Sequence, residues 1–131
     1  MGFKIKSLIA KEEELYEACS NGKVEEVRTL LQNEHINTNW QNQNDYLKTP
    51  FYIACQNGHI EIVKLLLNDK RIDVNKANEY GWTPFLIACD WGHIEIVKLL
   101  LNDQRVDINK AANDNGLHLF ILLVKMDVLI L

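Results

Sequence analysis

The chain repeats itself at a fixed interval. Residues 49–76 read TPFYIACQNGHIEIVKLLLNDKRIDVNK and residues 83–110 read TPFLIACDWGHIEIVKLLLNDQRVDINK, an offset of 34 with 22 of 28 positions identical. A weaker third copy, LYEACSNGKVEEVRTLLQN, occupies residues 15–33, with Ala18, Cys19 and Gly22 matching Ala54, Cys55 and Gly58 at an offset of 36. A period of this length means that each copy is one small structural unit, which must bury its apolar side against its neighbours.

Each unit reads as two short helices. Thr49 is a helix-capping residue and Pro50 is tolerated at the first helical position. The first helix runs through Phe51, Ile53 and Ala54 and stops at Gly58, a residue that permits a left-handed cap. The second begins near His59. There Glu61, Lys64 and Asn68 form one solvated stripe, while Ile60, Ile62, Val63, Leu66 and Leu67 fill the remaining surface. Asp73-Val74-Asn75 and the polar stretch after it read as a projecting turn between units.

These residues resemble the ankyrin repeat, whose signature is T-P-L-H-x-A followed by G-H-x-E-I-V-K-L-L-L and D-V-N. Thr49, Pro50, Ala54, Gly58 and His59 fit it, as do Thr83, Pro84, Ala88, Gly92 and His93, and the likeness covers about residues 12–116. The resemblance implies an all-α solenoid of stacked helix-turn-helix repeats with projecting hairpin loops. It places a first repeat at about 10–40, a second at about 45–78, a third at about 79–112 and an aberrant apolar tail at 113–131. Tyr52 and Leu86 depart from the signature where the family often has His, a change expected to cost little. Gln43 to Lys48 is two residues longer than its later counterpart and lacks the turn glycine supplied by Gly81, so the first finger is expected to be irregular.

The two strong copies differ at six positions. Ile72/Val106 and Val74/Ile108 are conservative apolar exchanges under one core environment, and Lys70/Gln104 is a change on the turn surface. Tyr52/Leu86, Gln56/Asp90 and Asn57/Trp91 remain, the last two at the end of the first helix. In the family this edge and the finger tips face a concave binding groove. A Trp91 where the sister copy has Asn57 is hard to justify by folding, and Trp and Tyr anchor many protein interfaces. The candidate contact surface is Trp91, Asp90, Trp82, Tyr80 and Glu79, extended by Tyr46, Lys48, Gln56 and Asn57. For Trp82, packing across its own hairpin is the equal alternative.

The first copy carries Glu26 and Thr29 where the others have Ile62/Ile96 and Leu65/Leu99. Both lie on one stripe, which reads as the outward face of a terminal cap, with the stack beginning there. At the other end, Leu117 to Leu131 reads LHLFILLVKMDVLIL in place of a fourth repeat. Encoded from Asn115 with permitted codons and shifted by two bases, it becomes W-T-P-F-I-Y-I-A-C-K-N-G-R-I-D-I, nearly repeat two again. The tail is therefore read as an out-of-frame fourth repeat. Its expected behaviours are a helix covering repeat three, self-association through residues 117–131, or a membrane anchor, disfavoured because a span needs about 20 apolar residues.

Composition and motifs exclude other classes. A net charge of −4 without a basic stripe argues against nucleic acid. Three cysteines in no disulfide-framework spacing suit a reducing, cytoplasmic setting. Cys19, Cys55 and Cys89 share one register and read as buried small thiols rather than a metal site. His59-Ile-Glu61 and His93-Ile-Glu95 imitate a deaminase H-x-E, but the P-C-x-x-C partner is missing. No phosphate-binding glycine loop occurs, and neither Ser7 nor Ser20 has a nucleophile's context. Glu12–Glu14 and Glu25-Glu26 read as solvated helix faces. The expected function is a non-enzymatic module, without cofactor or metal, that binds an intracellular protein. The alternative is the N-terminal fragment of a longer repeat scaffold, truncated by the frameshift.

Overall fold

A computed structural model describes residues 2–110 of the chain, with side chains from residue 10. The tail at 113–131, with its expected helix, self-association and frame, lies outside the described residues. Among the described residues there are six helices: α1 (Gly2–Asn21), α2 (Val24–Leu31), α3 (Pro50–Asn57), α4 (Ile60–Leu67), α5 (Pro84–Asp90) and α6 (Ile94–Leu101). They form three antiparallel pairs. α1, α3 and α5 pack side by side as one row, and α2, α4 and α6 form the second row behind them.

Local chemistry sets the helix ends where the sequence places them. The Thr49 hydroxyl accepts the Tyr52 N–H at 3.0 Å and the Thr83 hydroxyl accepts the Leu86 N–H at 3.2 Å, each satisfying an amide that the first turn leaves unpaired. Gly58 closes α3 at φ 77°, a conformation that glycine reaches without steric penalty. α5 stops one residue sooner, at Asp90, with Trp91 as its right-handed cap.

Burial follows the stacking logic. Ile62, Val63 and Leu66 of α4 and Ile96, Val97 and Leu100 of α6 are all buried, with Ile62 at 0% and Ile96 at 2% exposure. Small side chains at the shared register, Ala18-Cys19, Ala54-Cys55 and Ala88-Cys89, are buried where the inner helices meet. The three cysteines are free. Glu26 and Thr29 of α2 are exposed, unlike Ile62 and the half-buried Leu65.

Side chains bolt each unit to the one before it. His59 Nε2 lies 2.9 Å from the Ser20 carbonyl oxygen and His93 Nε2 2.7 Å from that of Gln56. In the turns, Asn39 donates to the Arg71 carbonyl at 2.8 Å and accepts the Asp73 N–H at 2.7 Å, and Asn75 makes the same pair with Arg105 and Asp107. This asparagine ladder joins successive fingers without strands.

One detail departs from the sequence reading, at Glu12, and two extend it. α1 starts at Gly2, well ahead of position 10. Glu12 is buried, not solvated; its carboxylate accepts the Asn37 N–H at 3.1 Å and so ties α1 to the first turn. The first finger is irregular in a specific way: Tyr46 and Leu47 take φ 56° and 59°, doing with two non-glycine residues what Gly81 does at φ 82° in the next finger. The Asn42 and Leu47 amides close this turn, donating to the Lys48 and Asn42 carbonyls at 2.9 Å each.

Candidate protein-binding surface

The two fingers lean on each other at their tips. The Glu79 amide donates to the Tyr46 carbonyl at 2.9 Å, and the Tyr46 and Tyr80 rings sit 5.8 Å apart, tilted by 41°. The left-handed backbone at Tyr46 therefore serves to deliver that carbonyl and ring to the second finger. Asn78 shapes the second tip: its side-chain oxygen accepts the Tyr80 and Trp82 amides, both at 3.0 Å.

Between the tips and the ends of α3 and α5 lies a cleft of about 300 Å³. Tyr46, Lys48, Gln56, Tyr80, Trp82, Asp90 and Trp91 line it, so seven of the nine residues singled out from sequence share one hollow. Three of its rings are open to solvent: Tyr46 at 53%, Tyr80 at 61% and Trp91 at 56% exposure. Trp82 is half-buried against the core.

Two candidates sit elsewhere. Glu79 lies at the finger tip outside the cleft lining, where its charge raises the pKa of the adjacent Tyr80 hydroxyl and so disfavours its ionisation. Asn57 turns back to the first unit, donating from Nδ2 to the Ser20 carbonyl at 3.0 Å and to the Ser20 hydroxyl at 3.3 Å. That explains the Asn57/Trp91 difference from the other side. Asn57 is a fastening residue, and Trp91 has given up the fastening role.

Tyr52, Asn78 and Ile87 also line the cleft and were not singled out by sequence. Tyr52 is buried and forms the floor; Asn78 Nδ2 lies 3.3 Å from its hydroxyl. Burial first, then the charges of Asp90 and Asp45, hold that phenol far above its ordinary ionisation. It stays neutral at any physiological pH and acts as a wall, not an acid. The available signal was the Tyr52/Leu86 exchange between the two strong copies.

Charge is arranged unevenly. Lys48 Nζ is 3.2 Å from Asp45 and lies 5.6 Å and 5.9 Å from the Tyr46 and Tyr52 ring centroids. Asp45 also accepts a short hydrogen bond from the Tyr16 hydroxyl. Among the described residues, no ion pair engages Asp90. The groups that line the cleft are rings, amides, the Asp90 carboxylate and the Lys48 ammonium held by Asp45.

A second hollow, of about 410 Å³, lies by Glu13, Glu17, Trp40 and Asn42. Trp40 packs edge-on to Tyr16 at 6.2 Å and is half-buried. None of its residues was singled out from sequence. No described helix is long and apolar enough to cross a membrane.

A family model for ankyrin repeats matches the chain in three copies over residues 15–114. No curated protein matches it. The family match spans more than half of the chain, and the fold agrees with it.

Proposed function

We propose that this chain, a member of the ankyrin-repeat family, is a non-enzymatic module that binds an intracellular protein through the cleft between its finger tips and inner-helix ends. Ankyrin repeats are in general protein–protein interaction modules. The observation that carries the finer reading is the exposure of Tyr46, Tyr80 and Trp91 around one hollow. Folding gains little from leaving three large rings in water, whereas interfaces draw much of their energy from such anchors once they are desolvated.

The test is capture of a partner by the full chain and by Trp91→Ala. Removing an interface anchor of this kind costs about 2 kcal/mol or more, so capture should fall by roughly thirtyfold or more while the far-ultraviolet circular dichroism stays unchanged. Undiminished capture by the variant removes the cleft from the function. Failure of the wild-type chain to retain any specific partner favours the alternative, a piece of a longer repeat scaffold with no binding role of its own.

A further inference from the structure

We propose that the cleft takes a cationic side chain, an arginine or lysine from a basic segment of the partner, against Trp91 and Tyr80 with the Asp90 carboxylate as its counter-ion. The inference rests on the reading of this cleft as the protein-binding surface, and it adds the chemistry of what enters.

Three observations converge on it. First, the exposed rings come from three different elements, the first finger, the second finger and the end of α5, and they bound one hollow. Faces of Trp and Tyr attract cations through their ring quadrupoles. Second, the chain already uses this mode within the same cleft. Lys48 Nζ lies over the Tyr46 and Tyr52 rings and is neutralised by Asp45 at 3.2 Å. That cation already has its carboxylate, whereas Asp90 on the same lining has no paired cation among the described residues.

Third, the charge of Asp90 lacks a counterpart among the described residues. Asp90 is exposed, and among the described residues no cation pairs with it. Its field reaches the cleft floor, where it disfavours ionisation of Tyr52, and the thiol of Cys89 beneath it. Glu79 adds a second carboxylate beside Tyr80. An acidic segment would be repelled here, and an apolar side chain would desolvate Asp90 without pairing it. A guanidinium or ammonium group satisfies the carboxylate and the rings together. The net charge of −4 favours the same class of partner at longer range.

The experiment follows the indole N–H signals of Trp40, Trp82 and Trp91 by ¹H–¹⁵N NMR on the full chain. The probe is a short Gly/Ser peptide with arginine at alternate positions, compared with its citrulline twin, which keeps the shape and removes the charge. The arginine peptide should move the Trp91 signal saturably and leave Trp40 still. The citrulline peptide should bind at least about fivefold more weakly, and Asp90→Asn should weaken only the arginine peptide, by roughly threefold to fivefold. Added salt should erode the arginine peptide's advantage.

Equal binding of the two peptides overturns the cation inference, as does a response confined to Trp40, which would place the basic peptide in the Glu13–Glu17 hollow. Silence at Trp91 with both peptides also overturns it. None of these results touches the broader reading, which stands or falls on partner capture by Trp91→Ala.

Discussion

Arg71 closes the end of a helix in the unit before its own: its Nη2 donates to the Leu31 carbonyl at 2.7 Å, at the last turn of α2. Nη1 reaches the Asn33 carbonyl at 2.9 Å, and Asp69 grips the guanidinium from behind at 2.7 Å and 3.0 Å. The carbonyls at a helix C-terminus have no partner within the helix and carry partial negative charge. Arg71→Ala should therefore cost about 1.5–3 kcal/mol in urea denaturation, the size of hydrogen bonds to a charged group. Arg71→Lys should rescue little, because an ammonium lacks the planar fork. Arg105 repeats the device on Leu67 with one carbonyl and a more exposed side chain, so Arg105→Ala should cost less. Equal losses for the two alanine variants would refute this ranking.

The Asp69 carboxyl makes the same contact depend on acid. Its hydrogen bond to Arg71 holds it below the ordinary carboxylate range. A group whose folded value is depressed adds stability that is fully present above its unfolded value, about 3.9. That stability disappears as pH falls through the lower, folded value. Wild type and Asp69→Asn should thus differ in denaturation midpoint at about pH 7 and converge toward about pH 2. A gap that persists unchanged into strong acid would assign the effect to packing instead of charge.

Glycine at the helix-to-helix turns separates two costs. Gly58 and Gly92 both sit at positive φ, 77° and 74°. A Cβ at Gly58 would also meet His93 Cε1 at 2.7 Å, whereas one at Gly92 meets no described atom within 4 Å. Gly92→Ala should cost about 1–2 kcal/mol from the left-handed backbone alone. Gly58→Ala should cost more, because the His93 ring must leave its bond to Gln56 as well. Thermal melts in which the two variants match would show that the ring yields freely.

Much of this frame was legible in sequence because a repeat supplies its own comparison. Thr49-Pro50, Gly58 and the Ile62/Ile96 register each occur twice, so local propensity and stacking point to one answer. The Asp69-Arg71 and Asp103-Arg105 pairs also recur, but their targets lie in another unit, 38 to 40 residues away for Arg71; spacing within a copy does not reveal a partner across copies. The same reason hid the fastening role of Asn57. Glu12 was misread because helical charge clusters usually face solvent; it accepts the Asn37 amide as Asn39 and Asn75 accept those of Asp73 and Asp107, a contact across elements that spacing within a copy does not reveal. The two left-handed residues of the first finger were unreadable in kind: a missing glycine signals irregularity, but only the Tyr46–Glu79 contact explains why the chain accepts it.

The three thiols give a direct measure of how closed the stack is. Burial pushes Cys19 and Cys55 far above the ordinary thiol range. Cys89 is pushed up to about 12, by burial and then by the charge of Asp90. The thiolate is the reactive form, so iodoacetamide at about pH 8 should leave all three nearly untouched in the native chain and modify all three in guanidinium. In native buffer Cys89 should react first, since it is less deeply shifted than the other two. Asp90→Asn should speed that reaction by removing the negative charge that opposes ionisation. Cys55, wedged between α1 and α5 in the middle of the row, should react last; rapid native labelling there would mean that the units separate, and the stacked core would not hold.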